Sequence, residues 1–196
     1  MQLDPAGLDR AATYRLLISV IVPRPIAWVG TLDAAGSDNL APFSYFMGVS
    51  SASPLLAFSC SRGRAGALKH TARNILANGE FTIAIPEEDL LHPMHATGAN
   101  HEGSEFDAVG LERAPSVRIR PPRVARARVA LECRLHHALD LEATHLFVGE
   151  VVYAHVDDAL WKDGQVDITL FRPVARLGGD HYASLGDVLT VPRTRV

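Results

Sequence analysis

Several clusters in this 196-residue chain carry side chains able to do chemistry. His92 and His95 stand three residues apart with His101 beyond, a spacing that would seat Zn²⁺ if a fourth ligand converged. No complete ligand set can be named and HExxH is absent, so these read as surface or loop histidines. GRAGALKHT, ending at Thr71, looks like a phosphate loop, but the Walker pattern needs Gly directly before the Lys, and Leu68 stands there. GVSSA, Gly48 to Ala52, lacks the second glycine of a nucleophile elbow. Arg118, Arg120, Arg123, Arg126 and Arg128 form a basic run without interleaved aromatics, which reads as a solvated strand edge rather than a nucleic-acid surface. RPIAWVGTLDAAGSDNLAPFSYF, Arg24 to Phe46, sets Asn39 and Ser44 among Phe43, Tyr45 and Phe46 just after a turn. By pattern alone that is an ordinary core hairpin as readily as a ligand edge. No GxGxxG follows a strand, so a nicotinamide cofactor would dock without a Rossmann unit.

The elements that must position these residues are mostly strands. After Asp9, a candidate N-cap, Tyr14, Leu17, Ile18 and Ile21 recur at helical spacing up to Pro23. Strands follow at Ile26 to Leu32, at Asn39 to Ser50 beyond the DAAGSD turn, and at Leu55 to Ser61 beyond Ser53-Pro54. Leu68, Ala72, Ile75 and Leu76 share one helical face closed by Gly79, and Phe81, Ile83 and Ile85 alternate into the next strand. A second helix is expected over Glu87 to Ala96. From Ala127 the alternation is strict, with Val129, Leu131, Cys133 and Leu135 inward and Arg128, Glu132, Arg134 and His136 toward water. Leu146 to Val156, apolar on both faces apart from Glu150 and His155, reads as a central strand covered on both sides. Gly98 to Pro122 reads as a long surface excursion. With no βαβ rhythm, the pattern predicts a mainly β, closed or nearly closed antiparallel barrel with a few peripheral helices.

Length and composition fit a single domain over residues 1–196, with a helical N-terminal segment over 1–22 and a tail over 183–196. A formal charge of −3 provides no global field for nucleic acid or an anionic membrane. Lys69 and Lys162 are the only lysines. Cys60 and Cys133 form no CxxC pair and read as buried thiols of a reducing cytosol. The N-terminus has no apolar h-region, and no run approaches the roughly 20 apolar residues of a membrane helix, so a cytoplasmic protein is expected.

Beyond these readings, the chain resembles the flavin-reductase-like family. RPIAWV, a Gly-containing turn and NLAPFSYF carry the likeness, followed by the Ser53-Pro54 step, by Lys69, Thr71 and Asn74 before EFTIAIP, and by LECRL, VGEVV and the closing RLGGDHY. It spans roughly Tyr14 to Tyr182. The resemblance implies a Greek-key, antiparallel FMN-binding split β-barrel. It implies that Asn39, Ala41, Pro42, Phe43 and Ser44 line the flavin ring. It places the phosphate on Ser59, Ser61 and Arg62 at a strand end, and on Lys69 and Thr71 within the following helix together with its free amides. Family members usually carry Asp between the Lys and the Thr, where this chain has His70; if that Asp only orients its neighbours His70 is tolerated, and if it contacts ribityl hydroxyls or the other subunit FMN affinity is weaker and pH-dependent.

The implied activity passes hydride from NADH or NADPH to the flavin, then electrons to free flavin, an oxygenase, ferric iron or a small organic molecule. Hydride transfer needs no side-chain acid or base, and no catalytic residue is assigned. A non-catalytic FMN-binding electron carrier or flavin store is the alternative, and a pyridoxine-phosphate oxidase type the third. The resemblance also implies a homodimer with its flavin sites near the subunit boundary, which Arg24, held between two prolines, and Tyr182 would reach.

Overall fold

The computed structural model describes residues 2–192. The Asp9 carboxylate accepts from the Ala12 amide at 2.6 Å and starts α1, Arg10–Val20. Strands β1, Ala27–Leu32, and β2, Asp38–Phe43, form an antiparallel pair with Ala27 opposite Phe43. Their turn is organised by Asp33, whose carboxylate takes the Ala35 and Ser37 amides at 2.8 Å each, and by Gly36 at φ +88°.

The strand expected over Asn39 to Ser50 breaks at Ser44-Tyr45. Beyond it, β3, Phe46–Ser50, pairs with β4, Leu55–Ser61, instead of continuing along β1. Helix α2, His70–Asn78, ends at Gly79 in the left-handed conformation and leads into β5, Glu80–Ala84. The long hairpin of β6, Val129–Leu141, and β7, Thr144–Val156, has two register shifts, which bend it.

Hydrogen bonding orders the main sheet β2-β1-β5-β6-β7-β4-β3, with every pair antiparallel. Its two edge strands are consecutive in the chain, joined by two residues. The sheet must therefore roll until its edges nearly meet, giving a mainly β split barrel that does not close. The Tyr45 carbonyl accepts from the Ser59 amide at 2.9 Å, and the Phe43 and Phe58 rings lie 5.1 Å apart across the split.

The barrel interior holds Val29, Phe58, Phe81, Ile83, Cys133 and Phe147, and Ala72 and Ile75 of α2 pack against them. A Cβ on Gly149 would lie 2.4 Å from Phe81 Cζ, so glycine admits that ring. A second core packs Trp28 and Leu40 against Met94 of α3, Leu91–Ala96, and Phe106 of α4, Glu105–Ala108. Both cysteines are buried and unbridged; burial pushes the Cys60 thiol up to about 11 and that of Cys133 up as well.

Three further expectations need correction. Glu132, assigned to the wet face, is 0% exposed, because the segment expected as a surface excursion folds back over it. The Val117 and Arg118 amides and His155 Nε2 all donate to its carboxylate at 2.7 Å. That excursion, Gly98 to Pro122, also buries Glu105, Phe106, Leu111 and Ile119. The Leu146 to Val156 strand is central but not covered throughout; Phe147 is buried, whereas Tyr153 is 39% exposed in the single chain. Of the tail over 183–196, Ala183 and Ser184 belong to strand Tyr182–Ser184, and residues 193–196 lie outside the described residues.

A small sheet of Arg24–Pro25, β8 (Val174–Arg176) and β9 (Tyr182–Ser184) stands beside the split. No helix among the described residues is long and apolar enough to cross a membrane.

Candidate functional site

Three adjoining cavities meet at Pro42 and Phe43, the end of edge strand β2. A proline is tolerated there because an outer edge needs no further ladder donor. The Leu40 amide is taken by Glu105 Oε2 at 2.9 Å.

The largest cavity, about 650 Å³, runs from Asn39 and Ala41 to the start of α2 at Lys69, His70 and Thr71. Below it, Asn39 Nδ2 donates to Thr71 Oγ1 and Asn74 Nδ2 to Thr31 Oγ1, both at 3.0 Å. This buried network fastens the first turns of α2 to β1 and β2. Asn39 and Thr71 line the cavity, while Asn74 works underneath. Lys69 is the N-cap of α2 rather than a residue within the helix. An ammonium cannot accept a hydrogen bond, so the helix N-terminus carries positive partial charge with no side-chain cap, and a cation stands beside it.

The second cavity, about 350 Å³, takes Ser59 and Ser61 from β4, Ser44 from the corner, and again Lys69. The third, about 220 Å³, takes Arg24, Ser44 and Tyr182. Arg24 is 4% exposed and donates to the Ile18 and Ile21 carbonyls at 2.7 Å, to that of Leu177 at 2.8 Å and to Ser44 Oγ at 3.4 Å. It thereby ties α1, the corner and the segment before β9 together. The Tyr182 hydroxyl lies 2.8 Å from His95 Nδ1 and accepts from Arg176, whose guanidinium covers the Tyr182 ring at 4.4 Å.

Eleven of the thirteen residues singled out in the sequence line these cavities. Arg62 and Asn74 do not; Arg62 pairs with Asp140 at 2.7 Å and donates to the Glu142 carbonyl at 3.0 Å, holding the end of β4 to the β6-β7 turn. Sequence reasoning missed Thr97 to His101, which wall the largest cavity, and also Glu105, Tyr14, Ile18 and Arg176. A signal lay in Gly98, where a Cβ would stand 3.6 Å from Pro42 Cγ and 3.2 Å from the His95 carbonyl. His101 Nε2 donates to the Ala96 carbonyl at 2.9 Å, and among the described residues no group of three or more His, Cys, Asp or Glu could hold a metal. An apolar wall, a hydroxyl and amide edge, and a cationic helix end suit a planar heterocycle with an anionic tail.

A family model described as flavin reductase like domain matches residues 19–169. The structure of nitrilotriacetate monooxygenase component B from Bacillus cereus is 33% identical, with a TM-score of 0.94 over 97% of this chain and 98% of that one. The 2-nitrobenzoate 2-nitroreductase NbaA of Pseudomonas fluorescens is 31% identical, with a TM-score of 0.90 over 98% of this chain and 96% of that one. Flavoredoxin of Desulfovibrio vulgaris is 25% identical, with a TM-score of 0.78 over 97% of each chain.

Proposed function

Because the chain belongs to the flavin reductase like domain family, we propose that it is an FMN-dependent oxidoreductase. It takes reducing equivalents from NADH or NADPH and passes them to a small-molecule or protein acceptor. The observation that carries this reading is the position of Lys69. It stands at the uncapped N-terminus of α2 and lines two cavities at once, with Thr71 in one and Ser59 and Ser61 in the other. A phosphomonoester there would meet an ammonium, hydroxyls and helical amides. Pro42 and Phe43 supply the apolar wall for the ring, and Asn39, Ala41 and Ser44 its polar edge.

Bound FMN supplies a hydride acceptor that can release electrons onward. The protein's own part is to bind, orient and exclude water. Arg24 holds α1 across the smaller cavities through the carbonyls at the helix end, and Glu105 fixes the edge strand. The working unit is a homodimer, a reading supported by α1, which has apolar side chains yet buries no residue in the single chain. The unbridged buried thiols support a cytoplasmic setting.

The test uses purified protein loaded with FMN. It should bind about one FMN per chain and prefer it to riboflavin; equal affinity would sink the phosphate assignment. Without oxygen, NADH or NADPH should bleach the visible flavin absorbance rapidly. Persistent colour would support instead the electron-carrier reading, which the likeness to a flavoredoxin favours.

A further inference from the structure

The cavity of about 220 Å³ beside the corner is too small for a dinucleotide, and its lining contains two arginines and no acid. Among the described residues no carboxylate pairs with Arg24. Its guanidinium is buried against three carbonyls, so its hydrogen bonds are met while its charge is not neutralised. A full positive charge buried beside a small cavity produces a local field that favours an anion. Arg176 adds a second. Its contacts with the Tyr182 hydroxyl and the Gly179 carbonyl leave guanidinium donors over, and Asp180, 3.9 Å away, has a side chain 98% exposed to water. The remaining walls are flat or apolar: Tyr14, Phe43, Pro42 and Met94.

We propose that this cavity is a docking subsite for a small planar aromatic carboxylate, with its carboxylate held by Arg176 beside the Tyr182 hydroxyl. The inference rests on the reading that a flavin occupies the neighbouring cavities, with which this one shares Pro42 and Phe43. The fork of an arginine matches a carboxylate at two points, and the ring stacks between Tyr14 and Phe43. His95 Nδ1 lies 2.8 Å from the Tyr182 hydroxyl; with the proton on that nitrogen the hydroxyl accepts from His95 and Arg176 and keeps its own hydrogen for the carboxylate.

Benzoate and its neutral isostere benzamide, titrated calorimetrically into the FMN-loaded protein, test this directly. Benzoate should bind at least about tenfold tighter than benzamide, as a charge-assisted pair requires, and salt should narrow the gap. Arg176→Gln should bring benzoate down to the benzamide level, and Arg176→Lys should restore part of the difference. Equal binding of the two probes to the wild-type protein, or an unchanged benzoate affinity in Arg176→Gln, overturns the subsite. If Arg176→Gln does not fold, the wild-type comparison and Tyr182→Phe, which should weaken benzoate several-fold, decide the question. Flavin content is scored separately. Flavin-loaded protein without benzoate preference sinks the subsite and leaves the oxidoreductase reading standing. Protein that takes no flavin yet holds benzoate through Arg176 supports the anion site and sinks the flavin reading of the neighbouring cavities.

Discussion

Lys69 is the residue on which the proposed cofactor assignment turns, and its surroundings make it a clean experiment. It is exposed, caps nothing with its side chain and lies outside the helix it precedes. Removing the ammonium should therefore cost ligand affinity and little stability. Lys69→Ala is expected to weaken FMN by about 1–3 kcal/mol, the range for charge-assisted hydrogen bonds, with an almost unchanged melting temperature. Fluorescence titration against a thermal melt separates the two effects. Unchanged affinity would make Lys69 a solvated surface residue. Its neighbour His70 faces the same cavity where the family usually has Asp, so the local charge there differs from the family pattern by more than one side chain's shape.

At the scale of elements, Glu132 fastens the 115–122 segment onto the sheet. Burial pushes its carboxyl up, but the bonds from His155 and from the Val117 and Arg118 amides outweigh this and hold it below the usual carboxylate range. A folded value below the unfolded one means the stabilisation is fully present above the ordinary range. It is lost as the pH falls through the depressed folded value. Glu132→Gln should cost about 1–3 kcal/mol at neutral pH, and the gap to wild type should shrink on acidification; urea denaturation across that range checks both. A gap that widens on acidification would contradict this account. The sequence displayed the alternation of β6 but not this exception, because the partners that bury Glu132 are backbone amides 14 and 15 residues away, which no side-chain pattern encodes. Helices α1 to α3 and most strands were legible from periodicity and caps, whereas α4 lies in the segment read as a surface excursion. The break at Ser44-Tyr45 was not, because both halves are equally good strand sequence and only their different partners separate them. The candidate site was legible where it lies on β2, β4 and α2. It was hidden where Thr97 to His101 and Arg176 reach it through tertiary folding.

For the whole molecule, the apolar surface left by the single chain is the main reason to expect a partner. Tyr14, Val20 and Ile21 in and beside α1 are 58%, 63% and 53% exposed, and Met47 on β3 is 59% exposed. Light scattering over a dilution series should report about twice the 21.2 kDa chain mass. A flavin-loaded species that stays at the single-chain mass at micromolar concentration would contradict the homodimer. The two-residue corner between β2 and β3 has a mechanical consequence. From Phe43 to Phe46 the chain takes three steps, so the seam at that point can part by no more than about 10 Å however the strands move. Breathing of the barrel therefore cannot widen the entrance there beyond this tether. At the two smaller cavities, walled in part by Tyr14 and Ile18, access would widen by displacement of α1, which leans on Arg24 for its hold, rather than by opening of the sheet.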